Sequence, residues 1–267
     1  LRGKENFHIT GLPMSIEPAF VKAFGYVKKA AALANRDLGV LDAKVADAIA
    51  AACDRLIAGE MRDQFVTDFI QGGAGTSTNM NANEVIANLA LELLGHKKGE
   101  YAVVNPNDHV NFGQSTNDVY PTAFRLALIM RLESYSEALR KLEQSFYAKA
   151  KEFERVLKMG RTHLQDAVPM SLGQEFHGWG TTIGEEIQRI AEVRQLLHEI
   201  NLGATAIGTT VTAAPGYPEL ATAYLSKLTG EKFILAGDLI EATSDTGAYV
   251  LLSGVLKRTS SKLTKIC

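Results

Sequence analysis

Apolar residues recur at intervals of three and four positions along most of the chain, which is the spacing of amphipathic α-helices. This pattern predicts helices over residues 18–35, 42–58 and 83–94. Residues 122–159 contain neither glycine nor proline and carry one apolar stripe from Phe124 to Phe153. A single helix over that range would be about 57 Å long.

Two further long helices are expected. A second apolar stripe runs over residues 172–200, and a third helix is expected from Asp238 to the end of the sequence. Asp238 and Glu241 have the spacing of a capping box, which marks a helix start. Strand-like alternation is confined to two short candidates, residues 101–104 and 233–235. The predicted fold class is therefore all-α.

The predicted long helices exceed the usual ~8–20 residues and indicate a long helical bundle. A chain of 267 residues cannot bury three such stripes against itself, so the pattern predicts a helical homo-oligomer. The alternative is a coiled-coil or repeat protein, but the sequence has no internal repeat of about 20–50 residues to support it.

The composition is that of an ordinary soluble protein, with 46% hydrophobic residues, 22% charged residues and a net charge of −2. Such a balance gives no reason to expect nucleic acid or a membrane surface as a partner. Residues 1–20 contain no signal-peptide core. Two cysteines make no disulfide framework, and a reducing, cytoplasmic setting is expected. Leu1 is not an initiator methionine, and Cys267 falls inside an apolar-periodic, lysine-rich segment with no helix-stop signal before it. We therefore expect a fragment of a longer chain.

Three polar segments stand beside predicted helix starts: residues 71–84 (QGGAGTSTNMNANE), 111–121 (NFGQSTNDVYP) and 160–176 (GRTHLQDAVPMSLGQEF). A helix N-terminus carries unpaired N–H groups and a partial positive charge, so it favours anions. Serine and threonine hydroxyls add further donors. One such segment usually indicates only a helix cap, but three together favour a site for a small substrate with more than one carboxylate.

Other chemistry is poorly supported by the sequence. Gly75 is followed by Thr76 and Ser77 where a P-loop would have lysine, so a nucleotide site is not expected. No metal-ligand spacing occurs. His163 is the most interesting titratable residue, although a histidine in a polar loop is more often a structural hydrogen-bonding group. Asp118 and Asp166 are interpreted as capping or supporting acids.

The segments GTSTNMNANE, NPNDHVNFGQSTNDVYPT and GRTHLQDAVPMSLGQEF resemble the first two conserved regions of the aspartase/fumarase superfamily. LLGHKKGEY, EINLGATAIGT, DLIEATSDTGAYV and KLTKIC extend the resemblance over essentially the whole chain and are similar to aspartases. Asn105 and Leu164 also favour aspartases over class II fumarases. GTTVTAAPGY, residues 208–217, departs from the usual family sequence, which affects the expected shape of that loop.

The resemblance implies an all-α, L-aspartase-like fold whose long-helix bundle is completed by homotetramerisation, with each active site shared among three subunits. Residues 1–105 would form a partial N-terminal helical domain, and residues 106–267 a truncated central bundle domain. The implied reaction is the reversible, nonoxidative deamination of L-aspartate to fumarate and ammonia through an aci-carboxylate. It needs no organic cofactor, and activation by a divalent cation is left open.

The resemblance also implies individual roles. Thr76, Ser115 and Thr116 would hold the β-carboxylate. Asn117 and His163 would contact the amino group, and Thr162 the α-carboxylate. The family's third region, a mobile loop that supplies the serine base, has no counterpart in these residues, so this chain alone is expected to be inactive. The alternatives are a class II fumarate hydratase, acting on fumarate and L-malate, and a non-catalytic helical scaffold.

Overall fold

The computed structural model describes residues 9–71 and 73–267 and confirms the all-α class. Four short strands accompany the helices, in two separate two-stranded sheets. The helices are α1 (Pro18–Asp37), α2 (Ala43–Ile57), α3 (Thr76–Leu93), α4 (Thr116–Glu152), α5 (Leu172–Leu196), α6 (Tyr217–Thr229), α7 (Leu239–Ser244) and α8 (Gly247–Ile266). The strands are β1 (Leu157–Thr162), β2 (Gln165–Ser171), β3 (Glu199–Ile200) and β4 (Ile234–Leu235). Met14–Ile16 and Arg62–Gln64 are 3-10 turns, and Pro106–Val110 is a π-helical turn.

The first compact unit contains the described residues up to Leu128 together with Leu197–Asp245. Helix α1 lies at its centre and packs against α2 and α6, while α2 packs against α3. Alanines on α1 and Gly25 allow this close packing, since a Cβ on Gly25 would lie 3.2 Å from the carbonyl oxygen of Cys53 in α2. Asp42 caps α2 by accepting the N–H of Val45 at 3.0 Å.

The second compact unit contains Ile129–Leu196 and Thr246–Cys267. Its helices α5 and α8 pack together. Aromatic rings from α4 and α5 form a cluster, in which the centroids of Phe176 and Trp179 are 4.7 Å apart. The predicted division at residues 105/106 has different bounds from these two units and stays a prediction about the complete fold.

The predicted helix over residues 122–159 is wrong at both ends. Helix α4 begins at Thr116 and ends at Glu152, and β1 follows from Leu157. The apolar stripe itself stopped at Phe153; the extension to residue 159 rested only on the lack of glycine and proline, which does not by itself specify a helix. Residues 157–171 instead form an antiparallel hairpin with an irregularity between Met159 and Arg161.

The predicted third long helix is also wrong, because it is divided into α7 and α8. Asp245 is extended, with φ −75° and ψ 134°, and α8 begins two residues later. Polar side chains and a glycine at this point weaken helical continuity. The predicted start is confirmed, because the Asp238 carboxylate accepts the N–H groups of Ile240 and Glu241 at 2.9 and 3.1 Å.

Three smaller predictions have mixed outcomes. The helices predicted over residues 18–35 and 42–58 are confirmed as α1 and α2. The helix predicted over residues 172–200 is confirmed as α5 from Leu172, but its predicted end is wrong, because α5 ends at Leu196 and Glu199–Ile200 form β3. Of the strand candidates, residues 233–235 include β4, which pairs in parallel with β3, whereas residues 101–104 form turns. Helix α3 begins at Thr76, seven positions before the predicted start at residue 83. The prediction missed this first part because its buried face is polar and so lacks an apolar period.

No helix in the described ranges has the length and apolar character to cross a membrane.

Candidate active site

The first polar segment closes into a tight turn immediately before α3. Thr76, the first residue of α3, donates its hydroxyl to the carbonyl of Gly73 at 2.8 Å. Gly75 precedes it with φ 90°, a left-handed conformation that favours glycine. Any side chain at Gly75 would collide with the ring of Tyr120 in α4. The starts of α3 and α4 are therefore in direct contact.

The second polar segment builds a reciprocal cap at the start of α4. Ser115 Oγ accepts the N–H of Asn117 at 3.2 Å, and the Asp118 carboxylate accepts the N–H of Ser115 at 3.2 Å. This is a variant of the capping box, with aspartate in the place of glutamate and with the Ser115 hydroxyl accepting from Asn117 rather than from Asp118. Asp118 also accepts the N–H of Thr205 at 2.7 Å. The interpretation of Asp118 as a capping acid is confirmed.

The environment of Asp118 perturbs its ionisation. Burial raises the pKa of its carboxyl to about 7, while the N–H donors of Thr205 and Ser115 and the nearby Lys28 oppose that rise. The carboxylate fixes both the cap of α4 and the segment around Thr205. Asp118 therefore organises the junction and is itself fully buried.

Asn117 connects the start of α4 to the segment after β3. Its Nδ2 donates to the carbonyl of Ala206 at 2.7 Å, and its own carbonyl accepts from Asn201 Nδ2 at 3.1 Å. A backbone carbonyl can only accept, so the orientation of the Asn117 amide is fixed and its Oδ1 is the atom left for other donors. The contribution of residues 201–206 was missed, although the segment EINLGATAIGT had been noted for its family resemblance.

A buried lysine lies beneath the junction. Lys28 Nζ donates to Asn111 Oδ1 and to Gln114 Oε1, each at 2.9 Å. Burial lowers the pKa of its ammonium to about 7, and the Asp118 carboxylate opposes the decrease. Lys28 was also missed, but a signal was present: it follows Phe24 at helical spacing on the buried face of α1, where the pattern calls for an apolar residue.

The amide of Asn79 joins the two helix starts. Its Nδ2 donates to Thr116 Oγ1 at 3.1 Å and to Asn111 Oδ1 at 3.2 Å. Thr76, Ser115, Thr116 and Asn117 thus lie on one connected junction in the first compact unit. Of the groups that bind a carboxylate, this junction offers two helix starts and the hydroxyls of Ser115 and Thr116, while the Lys28 amine is fully buried beneath them.

The third polar segment runs from the end of β1 through β2 to the first turn of α5, and Thr162 and His163 lie at the tip of the β1–β2 hairpin rather than in a loop at the helix N-terminus, as predicted. Thr162 pairs with Gln165, and His163 and Leu164 between them have φ values of 51° and 62°. Two positive φ values are typical of a two-residue type I′ hairpin turn, which matches the twist of the strands. Thr162 and His163 are exposed and belong to the second compact unit. Leu164 beside them is 92% exposed.

Two other sequence interpretations have structural outcomes. Asp166 caps no helix and forms an exposed ion pair with Arg161 across the hairpin, with 3.5 Å between Oδ1 and Nε. Asn105 caps the π-helical turn by accepting the N–H groups of Asn107 and Asp108 at 2.8 and 3.1 Å. Among the described residues, no group of three or more histidine, cysteine or acidic side chains is placed to hold a metal ion.

A family model described as lyase matches residues 1–267 of this all-α chain with its paired, hydroxyl-rich helix starts. The chain belongs to this lyase family. It is 57% identical to aspartate ammonia-lyase of Pseudomonas aeruginosa, over 100% of this chain and 56% of that protein. It is 53% identical to aspartate ammonia-lyase of Escherichia coli K12, again over 100% of this chain and 56% of that protein.

Solved structures agree with this assignment. A fumarate lyase:delta crystallin from Brucella melitensis, bound to cobalt, superposes with a TM-score of 0.98 and 51% identity, covering 99% of this chain and 58% of that chain. A class II fumarase from Schistosoma mansoni gives a TM-score of 0.92 and 33% identity, covering 99% and 59%. The chain therefore spans little more than half the length of the relatives that it matches.

Proposed function

We propose that the complete protein containing this chain is an aspartate ammonia-lyase, which converts L-aspartate reversibly to fumarate and ammonia. The observation that carries the proposal is the convergence of Thr76, Ser115, Thr116 and Asn117 at the paired starts of α3 and α4. The similarity to curated aspartate ammonia-lyases at 53–57% identity supports this substrate over L-malate, since the class II fumarase match is 33% identical.

The proposed mechanism depends on where negative charge develops on the substrate during the reaction. Loss of a proton from the carbon beside the β-carboxylate places additional negative charge on that carboxylate. The hydroxyls of Ser115 and Thr116, fixed beforehand at the start of α4, would stabilise this charge more strongly in the transition state than in the bound substrate. Such differential stabilisation is what accelerates the chemical step. The Thr76 hydroxyl donates to the carbonyl of Gly73 and would have to turn away from it to join these two hydroxyls.

Asn117 suits the proposed contact with the substrate amine. Because its Nδ2 is held by Ala206, its Oδ1 is available to accept from an ammonium group. His163 would also contact the amine, and Thr162 the α-carboxylate, in the assembled enzyme. These two roles, like those at the first junction, are proposals taken from the family resemblance.

The proposed assembly is a homotetramer in the cytoplasm, with each active site shared among three subunits. The apolar side chains exposed on the second unit support self-association; Val250 in α8, for example, is 67% exposed. We propose no organic cofactor and leave divalent-cation activation unassigned. The serine base would lie outside these 267 residues, so the chain alone should not turn over aspartate.

The direct experiment is to follow fumarate absorbance after adding L-aspartate or L-malate to the purified complete protein. The proposal predicts fumarate and an equal amount of ammonia from L-aspartate, with L-malate giving little. Faster turnover of L-malate would instead identify a fumarate hydratase. The absence of turnover and of dicarboxylate binding would identify a non-catalytic scaffold.

A further inference from the structure

A buried amide determines how one proposed substrate-binding hydroxyl uses its hydrogen. Asn79 is fully buried in α3. Its Nδ2 carries two hydrogens and donates to two acceptors, Thr116 Oγ1 at 3.1 Å and Asn111 Oδ1 at 3.2 Å. Both hydrogens of the amide are therefore in use, and the side chain is held between the starts of α3 and α4.

The direction of these hydrogen bonds can be deduced from a backbone group. Asn111 Nδ2 donates to the carbonyl of Gln114 at 3.2 Å, and a backbone carbonyl can only accept. Asn111 must therefore present its Oδ1 to Asn79. Lys28 Nζ and Asn83 Nδ2 also donate to that oxygen, at 2.9 and 3.2 Å. An acceptor in this position requires a donor opposite it, so Asn79 must present its Nδ2.

The same nitrogen faces Thr116, and this restricts what the Thr116 hydroxyl can do. A hydroxyl can accept and donate, but it has one hydrogen. Among the described residues, the side chain of Thr116 makes one hydrogen bond, in which Oγ1 accepts from Asn79 Nδ2. Its own hydrogen is therefore left for another acceptor. A substrate carboxylate accepts and cannot donate, so it requires a hydroxyl in this state.

We propose that Asn79 is a positioning residue that fixes the Thr116 hydroxyl as a hydrogen-bond donor to the substrate carboxylate. The inference rests on the proposed function, in which Thr116 binds the β-carboxylate. Because negative charge on that carboxylate grows in the transition state, the loss of Asn79 should lower kcat more than it raises KM.

Asn79→Ala in the complete protein tests this role, with Asn83→Ala as the matched control. Asn83 is equally buried and also donates to Asn111 Oδ1, but its amide otherwise contacts the sulfur of Met80 rather than Thr116. Asn79→Ala should lower kcat/KM for L-aspartate about 10- to 100-fold, the effect of losing one oriented hydrogen bond to a charged group. Asn83→Ala should stay within about threefold of wild type. Equal losses at equal thermal unfolding midpoints would show a purely structural role and overturn the inference.

A second comparison measures whether Asn79 acts through Thr116. In a Thr116→Val background the hydroxyl is gone, so adding Asn79→Ala should lower kcat/KM by less than about threefold further. A full additional loss in that background would overturn the inference. In the protein that keeps Thr116, Asn79→Asp should lower kcat/KM at least as much as Asn79→Ala. The new carboxylate would accept the hydrogen of the Thr116 hydroxyl and turn it away from the substrate.

The proposed function and the role of Asn79 can be overturned separately. If the complete protein does not turn over L-aspartate, or if Thr116→Val alone is fully active, the proposed function or its Thr116 assignment fails, and the role of Asn79 fails with it. If Thr116→Val is strongly impaired but Asn79→Ala matches Asn83→Ala, only the role of Asn79 is overturned.

Discussion

The side-chain amide of Asn117 donates to the backbone carbonyl of Ala206 at 2.7 Å across 89 positions of sequence. This contact ties the start of α4 to the segment after β3 and turns Asn117 Oδ1 toward other donors. We predict that Asn117→Leu lowers kcat/KM for L-aspartate by about 100-fold, equivalent to roughly 3 kcal/mol, because the amine loses its acceptor.

The control for Asn117 is Asn88→Leu. Asn88 also uses its amide to hold backbone groups, donating to the carbonyl of Glu84 at 2.7 Å and accepting the N–H of Gly99 at 2.9 Å. It contacts none of the proposed substrate-binding residues through these bonds. If both leucine variants lost activity in proportion to stability, the proposed amine contact of Asn117 would be wrong.

Gly75→Ala should be damaging for two separate reasons. Gly75 has φ 90°, and a Cβ there would collide with Tyr120. Gly99 has φ 85°, but a Cβ added there would have no other atom within 4 Å. Gly99→Ala therefore measures only the cost of a left-handed backbone conformation in a residue other than glycine. Urea unfolding should show a loss of about 1 kcal/mol for Gly99→Ala and clearly more for Gly75→Ala. Equal losses would contradict the close contact between the starts of α3 and α4.

Lys28 should give the stability of the protein a recognisable pH dependence. Its pKa is lowered from 10.5 to about 7 on folding, so between these values the unfolded chain binds more protons than the folded one. Stability from this group therefore rises as pH increases from about 7 toward 10.5 and is lost as pH falls back.

Lys28→Met tests this dependence directly. The free energy of unfolding of wild type minus that of the variant, from urea titrations at neutral and at alkaline pH, should increase with pH. A constant difference would show that the amine keeps an ordinary pKa in the folded protein. The contributions of titrating groups remote from Lys28 largely cancel. Asp118 does not cancel: removing Lys28 raises the pKa of its carboxyl further, which makes the difference increase with pH in the same direction.

Glu186 and Glu185 offer a comparison of buried and exposed charge in the second unit. Glu186 is fully buried between Lys262 Nζ at 2.6 Å and Arg258 Nη2 at 3.1 Å, whereas Glu185 shares these cations but its side chain is 56% exposed. Glu186→Ala should cost about 2 kcal/mol or more in the free energy of unfolding. Glu185→Ala should cost less than about 1 kcal/mol. A reversed order would contradict the described packing of α5 on α8.

The hairpin tip provides a prediction about backbone strain. Leu164 has φ 62°, a conformation that glycine adopts freely and a β-branched residue resists. Leu164→Gly should therefore leave the thermal unfolding midpoint unchanged or raise it, while Leu164→Val should lower it. A lower midpoint for the glycine variant than for valine would argue against the two-residue turn.

The sequence predicts most of the long helices because their buried faces are apolar. The prediction fails where that condition fails. Helix α3 was started too late because Thr78, Asn79 and Asn83 occupy its buried face. The hairpin was missed because its strands are largely exposed and its turn uses His163 and Leu164 in place of the usual asparagine and glycine.

The candidate site was predictable only in part. Local motifs drew attention to Ser115, Thr116 and Asn117, because their polar groups cluster within a few positions. Lys28 and Ala206 reach the same junction through contacts 83 and 89 positions apart, which no local pattern specifies. Their positions depend on how α1 and the segment after β3 pack around the start of α4.

The most direct test of the account is fumarate formation from L-aspartate by the complete protein, compared between wild type and Ser115→Ala at matched assembly state. We predict rapid fumarate release by wild type and a loss of about 100-fold or more in kcat for Ser115→Ala, because one preorganised donor to the developing charge is removed. Wild-type turnover by Ser115→Ala would contradict the placement of the active site at the starts of α3 and α4.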